Sequence, residues 1–160
     1  MARSHHYSTT VVWTGNRGTG TSSYRSYDRA HMIANPGKPT IAGSADPTFR
    51  GDNTSWNPEE LLIASLAQCH LLWYLHLAAD TGVIVTAYAD EPLGTLSEAN
   101  DGSGQFSEVV LRPTVTVAED GMIDAAQALH DAAHATCFIA RSVSFPVRHQ
   151  PKSQTEPGVT

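Results

Sequence analysis

From Leu61 to Ala79 the chain is apolar at every position except Ser65, Gln68, His70 and His76. Apolar residues fall on all sides at helical spacing, which predicts a helix wrapped all round by protein. Its ends are signalled. Asn57 suits a helix cap, Pro58 the first helical position, and Glu59 and Glu60 place negative charge at the positive end of the helix dipole. Glu60 stands where a capping box wants a carboxylate, and Gly82 follows the last apolar turn as a stop. The run is long enough to cross a membrane. Its polar interruptions and its caps instead predict the central helix of a core.

Elsewhere the pattern is shorter in period. Residues 5–14 (HHYSTTVVWT) and 21–27 predict two strands of a hairpin around the turn Gly15–Gly20, with Arg17 at its tip. A short strand is expected at 40–42, then an ordered loop over 43–56 that feeds the helix. Residues 83–91 predict a strand, 92–104 a glycine-rich turn region, and 106–119 one long strand or two, interrupted at Pro113. Met122, Ala126, Leu129, Ala133 and Cys137 recur on one face and predict a second helix over 122–136. Residues 142–148 predict a last strand. This is an α+β order in a single domain, 1–148, followed by a polar, disordered tail at 149–160.

Composition narrows the function. The net charge is −6 and lysine occurs only at Lys38 and Lys152, so no basic patch points to nucleic acid. The first ten residues hold no apolar secretory stretch. A cytosolic protein with no membrane partner is the expectation. In that compartment Cys69 and Cys137 read as free, catalytic, redox or metal-binding thiols rather than a structural bridge.

Each cysteine sits on a predicted core helix or at its end, so helix packing can bring the two together as a dithiol–disulfide pair. Alternatively they simply fill core space. Cys69 lies about three turns into its helix, beyond the reach of the helix dipole, so its thiolate needs a fixed cation. Arg17 is the first choice, ahead of Arg50 and Arg141. Glu59 can hold that arginine, but about 15 Å of helical rise separates it from Cys69. A shared site therefore calls for Glu59 from a second copy in a two-fold dimer, or for a bent helix. The competing chemistry is metal binding by His130, His134 and Cys137, which lie near one helical stripe, with His70 or Cys69 as a fourth ligand.

NPEELLIASLAQCH (57–70) resembles the signature helix of the OsmC/Ohr family of thiol-dependent peroxidases. GNRGTGT (15–21) is similar to that family's arginine-bearing turn, and HATCFIARSVSFPV (134–147) to the segment with its second cysteine. The resemblance spans roughly residues 7–148. It implies an OsmC-like fold, with antiparallel sheets around two central helices in an intertwined homodimer with shared active sites. It further implies a peroxidatic Cys69, a resolving Cys137, and Arg17 and Glu59 as activating groups. No cofactor is implied; the partners are an organic hydroperoxide and a dithiol reductant of lipoyl or thioredoxin type. His70 replaces the usual aromatic residue, Phe138 stands where many relatives carry proline, and segment 28–56 looks long. Leu66, Leu72, Trp73 and Phe138 are the expected apolar walls of the substrate site.

Overall fold

The computed structural model describes residues 3–156. The chain forms two compact units, one ending at Leu61 and the other starting at Leu62. The physical reason lies in strand pairing: among the described residues the N-terminal strands pair with one another, and β3 with Trp56, but with no strand that follows α1.

In the first unit β1 (Thr10–Trp13), β2 (His31–Ala34) and β3 (Ile41–Gly43) form an antiparallel sheet in that order. The returning strand is thus β2, not 21–27. Residues 14–30 are a long turn closed by Thr14 N–H to Ala30 O (2.9 Å) and Asp28 N–H to Gly15 O (2.8 Å). Its tip needs glycine: Gly18 and Gly20 have φ of +105° and +56°, and both amides donate to Asn16 Oδ1. The loop before the helix is ordered, with a short 3-10 turn at Pro47–Phe49 capped by Asp46.

Helix α1 (Pro58–Thr81) starts with the expected reciprocal cap. Glu60 N–H donates to Asn57 Oδ1 (2.8 Å) and Asn57 N–H to a Glu60 carboxylate oxygen (3.2 Å). It ends at Gly82, whose φ of +78° lets Val83 N–H reach back to Ala78 O (2.9 Å).

The second unit continues with β4 (Val85–Asp90), β5 (Leu93–Glu98), β6 (Gly104–Leu111), β7 (Pro113–Val117), α2 (Ile123–Thr136), β8 (Val147–His149) and β9 (Lys152–Thr155). The strands make two sheets, ordered β4-β7-β9 and β5-β6-β8. Both are mixed rather than purely antiparallel: β4 and β5 pair antiparallel to β7 and β6, while β9 and β8 run parallel to them. Pro113 opens β7, where its missing N–H costs least. Beside it, 147–155 tracks 109–117 from one sheet into the other, and Gln150 N–H bonds Leu111 O (2.8 Å). Residues 149–156 are therefore not a disordered tail. Polar KSQT forms β9 because ladder bonds use backbone groups that any residue carries. The rest of that segment, 157–160, lies outside the described residues. β5 occupies part of the expected turn region.

α1 is not covered evenly. Leu66, His70, Tyr74 and Ala78, four apart, are buried, whereas Leu72 is 63 % exposed and Leu75 also faces outward. Tyr74 and Ala78 join Val83, Val115, Val117, Ala126 and Ala133 in one core cluster. Leu66 joins Phe106, Val109 and Leu111 in another. The sequence-based picture of an all-round buried helix is corrected for the single chain.

Candidate active site

Within the second unit the two cysteines meet. Cys137 caps the C-terminus of α2, where its N–H bonds His134 O (3.3 Å) and its sulfur accepts the Ala140 N–H (3.4 Å). It is buried; Cys69 on α1 is half-buried, and both are free thiols. Burial first, and then the adjoining Cys69 thiol, push the Cys137 thiol up to about 11, against the opposing pull of the Ala140 amide. Cys137 is thus held protonated, beside a sulfur with more access to solvent.

Aromatic groups border this pair. Trp73, one turn beyond Cys69, meets Phe138 edge to face at 5.4 Å, and Phe138 is 67 % exposed. Leu72, Trp73 and His76 line a shallow depression. Leu66, expected as a wall, lies instead wholly in the core.

A second pair joins the same helices. His70 on α1 and His130 on α2 are buried, and His70 Nε2 and His130 Nδ1 share a hydrogen bond of 3.0 Å between parallel rings. Tyr74 stacks on His130 with ring centres 4.2 Å apart and donates its hydroxyl to Ala126 O (2.9 Å). His149 of β8 lies against both rings, 5.8 Å from His70 and 6.3 Å from His130, and 5.3 Å from His134. Its Nε2 faces the exposed carboxylate of Asp131 at 3.3 Å. Burial, reinforced by neighbouring histidines, pushes His70 down to about 4 and His130 down to about 3; burial also lowers His134.

The His70 and His130 imidazoles are neutral, and the bonding of the cluster is incomplete. His70 Nδ1, His130 Nε2, His134 Nδ1 and His149 Nδ1 are buried without a partner among the described residues. Two neutral rings sharing one bond carry one N–H outside it, so one donor and one ring acceptor of the His70–His130 pair stay unsatisfied in either tautomer. Each such orphan costs about 1–3 kcal/mol.

His70 therefore faces α2, not a substrate pocket. Among the described residues no three His, Cys, Asp or Glu side chains group so as to hold an ion. His130, His134 and Cys137 share a stripe, but His130 is committed to His70 and Cys137 to Cys69 and Ala140. His149 and the His70–His130 pairing were not legible in the sequence. Nothing in the spacing of residues 70, 130 and 149 announces that three elements converge there.

Arg17 and Glu59 belong to the first unit. The Arg17 guanidinium donates to the carbonyls of Ser26 (3.3 Å) and Arg25 and lies 3.7 Å from the Asp28 carboxylate. Glu59 is half-buried in the first turn of α1.

Comparison with known proteins agrees with this architecture. No curated protein matches the chain. Among solved structures, an OsmC-like protein of unknown function from Vibrio cholerae is 29 % identical, with a TM-score of 0.83 over 92 % of this chain and 99 % of that one. An organic hydroperoxide resistance protein from Elizabethkingia anophelis is 15 % identical, with a TM-score of 0.67 over 96 % of this chain and 100 % of that one. Another, from Legionella pneumophila, is 18 % identical, with a TM-score of 0.66 over 95 % and 99 %. At such identities the last two speak to the fold alone. The family described as OsmC-like protein matches residues 51–152, the stretch that carries both cysteines and both helices, and the chain belongs to that family.

Proposed function

We propose that the protein is a thiol-dependent peroxidase that reduces organic hydroperoxides to alcohols in oxidative-stress defence. The observation that carries this reading is the pairing of an accessible Cys69 with a sequestered, protonated Cys137. The Cys69 thiolate attacks the terminal peroxide oxygen, the O–O bond breaks, and the alkoxide leaves as the alcohol after taking a proton. Cys69 is left as a sulfenic acid. The Cys137 thiol then condenses with it, forming the disulfide and releasing water. This closes the route to irreversible sulfinic acid. An external dithiol, of lipoyl or thioredoxin type in the cytosol, restores both thiols.

Arg17 and Glu59 are the groups proposed to orient and ionise Cys69, by their match to the family pattern. The working unit is proposed to be a homodimer with shared sites. The exposed apolar residues of α1, Leu72 and Leu75, support it: the helix is long and apolar enough to span a membrane, yet only 28 % of its most apolar window is buried in one chain. A second copy would cover that surface.

Peroxide consumption with a dithiol, followed for wild type and Cys69→Ser, tests the reading. Cys69→Ser is expected to retain on the order of 1 % of the rate or less. Equal rates would exclude a peroxidatic Cys69.

A further inference from the structure

The two cysteines sit on different helices, so the distance between their sulfurs depends on how α1 and α2 are set along and around one another. Apolar packing sets this only loosely in direction: the buried Ala126 and Ala133 and the half-buried Ile123 and Leu129 of α2 share one core cluster with Trp73, Tyr74, Leu77 and Ala78 of α1, and such contacts carry no direction of their own. The directional contacts between the helices are polar: His70 with His130, and Tyr74 with Ala126 O and with the His130 ring. His70 adjoins Cys69 in the chain, and His130 lies two turns before Cys137 on the other helix. A rotation or slide of either helix that separates the imidazoles must also move a sulfur.

The pair keeps this bond at a cost. One buried N–H and one buried ring nitrogen stay unpaired, a penalty that two well-packed apolar side chains would not carry. Such a costly polar contact is retained where register matters, because a hydrogen bond has a direction and a hydrophobic contact has none.

We propose that His70 and His130 are positioning residues for the dithiol, their shared hydrogen bond holding α1 and α2 in the register that brings Cys69 and Cys137 into disulfide-forming approach. His149 of β8 closes the third side of the pair, and Tyr74 closes the fourth. The inference rests on the proposed reading only in that the two thiols cycle to a disulfide. It does not require that a peroxide be the oxidant.

The test is thiol–disulfide exchange at equilibrium. Purified protein is incubated with reduced and oxidised glutathione: the protein dithiol loses two electrons and two protons, and one oxidised glutathione becomes two thiols. His70→Ala and His130→Leu are expected to make the protein disulfide at least tenfold less favourable, by lowering the effective concentration of one thiol at the other. His70→Gln, whose amide nitrogen stands near the site of Nε2, is expected to recover most of the loss. Val83→Ala, which weakens the same core without touching the pair, is expected to leave the constant within twofold. Unchanged constants in His70→Ala and His130→Leu, or an equal fall in Val83→Ala, overturn the positioning role. Wild-type protein that forms no Cys69–Cys137 disulfide overturns it as well. Normal exchange without peroxide turnover sinks the peroxidase reading and leaves the positioning role standing. Where an alanine variant fails to fold, the constant for His70→Gln against wild type decides: retention within threefold supports the role, and a tenfold fall overturns it.

Discussion

Two pairs of side chains join α1 to α2, and burial acts on them in opposite directions. The thiol pair is uneven, with Cys137 enclosed and pushed up to about 11 while Cys69 keeps some access to solvent. The imidazole pair is even, both rings enclosed and both pushed down, to about 4 and about 3. The common cause is that a poorly solvated site favours the neutral form, which for a thiol is the acid and for an imidazole the base. Only the uneven pair offers chemistry: one sulfur can meet a substrate while the other waits protonated. The even pair offers geometry instead.

The largest expected difference lies in thiol reactivity. With the Cys137 thiol pushed up from its usual 9.0 to about 11, its thiolate fraction near neutral pH falls about a hundredfold. Burial slows access further. Alkylation followed by peptide mass spectrometry should therefore label Cys69 well before Cys137. Comparable rates would erase the asymmetry on which the comparison stands.

The imidazoles should speak through acid stability. A histidine whose value is depressed on folding binds fewer protons folded than unfolded, so its neutral-state stability is complete above the ordinary 6.5. That stability is lost as pH falls toward the folded value, about 4 for His70 and about 3 for His130. Each contributes up to about 1.4 kcal/mol per pH unit inside that window. Urea midpoints measured from pH 7 to pH 4 should fall steeply, and less steeply in the double variant His70→Leu/His130→Leu. Parallel slopes would mean that the pair is solvated after all.

Smaller effects sharpen the same contrast. Tyr74→Phe removes the bond to Ala126 O and is expected to lower stability by about 1–3 kcal/mol, read by urea denaturation. Phe138→Ala removes the edge-to-face contact with Trp73 beside the thiols and is expected to cost about 0.5–1.5 kcal/mol. If Phe138→Ala proved the costlier of the two, the exposed rim rather than the enclosed pair would be tying the helices together.

Much of this was legible in the chain. The caps of α1, the stripe of α2, the break at Pro113 and the presence of two informative cysteines follow from rules that act over a few residues. Three features were not. β9 is polar and pairs through its backbone, so no side-chain pattern marks it. β5, interrupted by Gly94, reads as turn although it forms a ladder with β6. α1 is apolar all round, and such a helix carries no signal of which face a single chain will cover.

Where the helices begin and end, which residues could do thiol chemistry, and the family in which to look for them can all be read along the chain. That His70 turns toward His130, that His149 arrives from a strand 79 positions later (149 − 70 = 79), and that Cys137 is the enclosed member of its pair emerge from packing alone. Caps and periodicity are local and are written into neighbouring residues. Burial and convergence depend on where distant segments come to rest, which is set by the free energy of the whole packed chain.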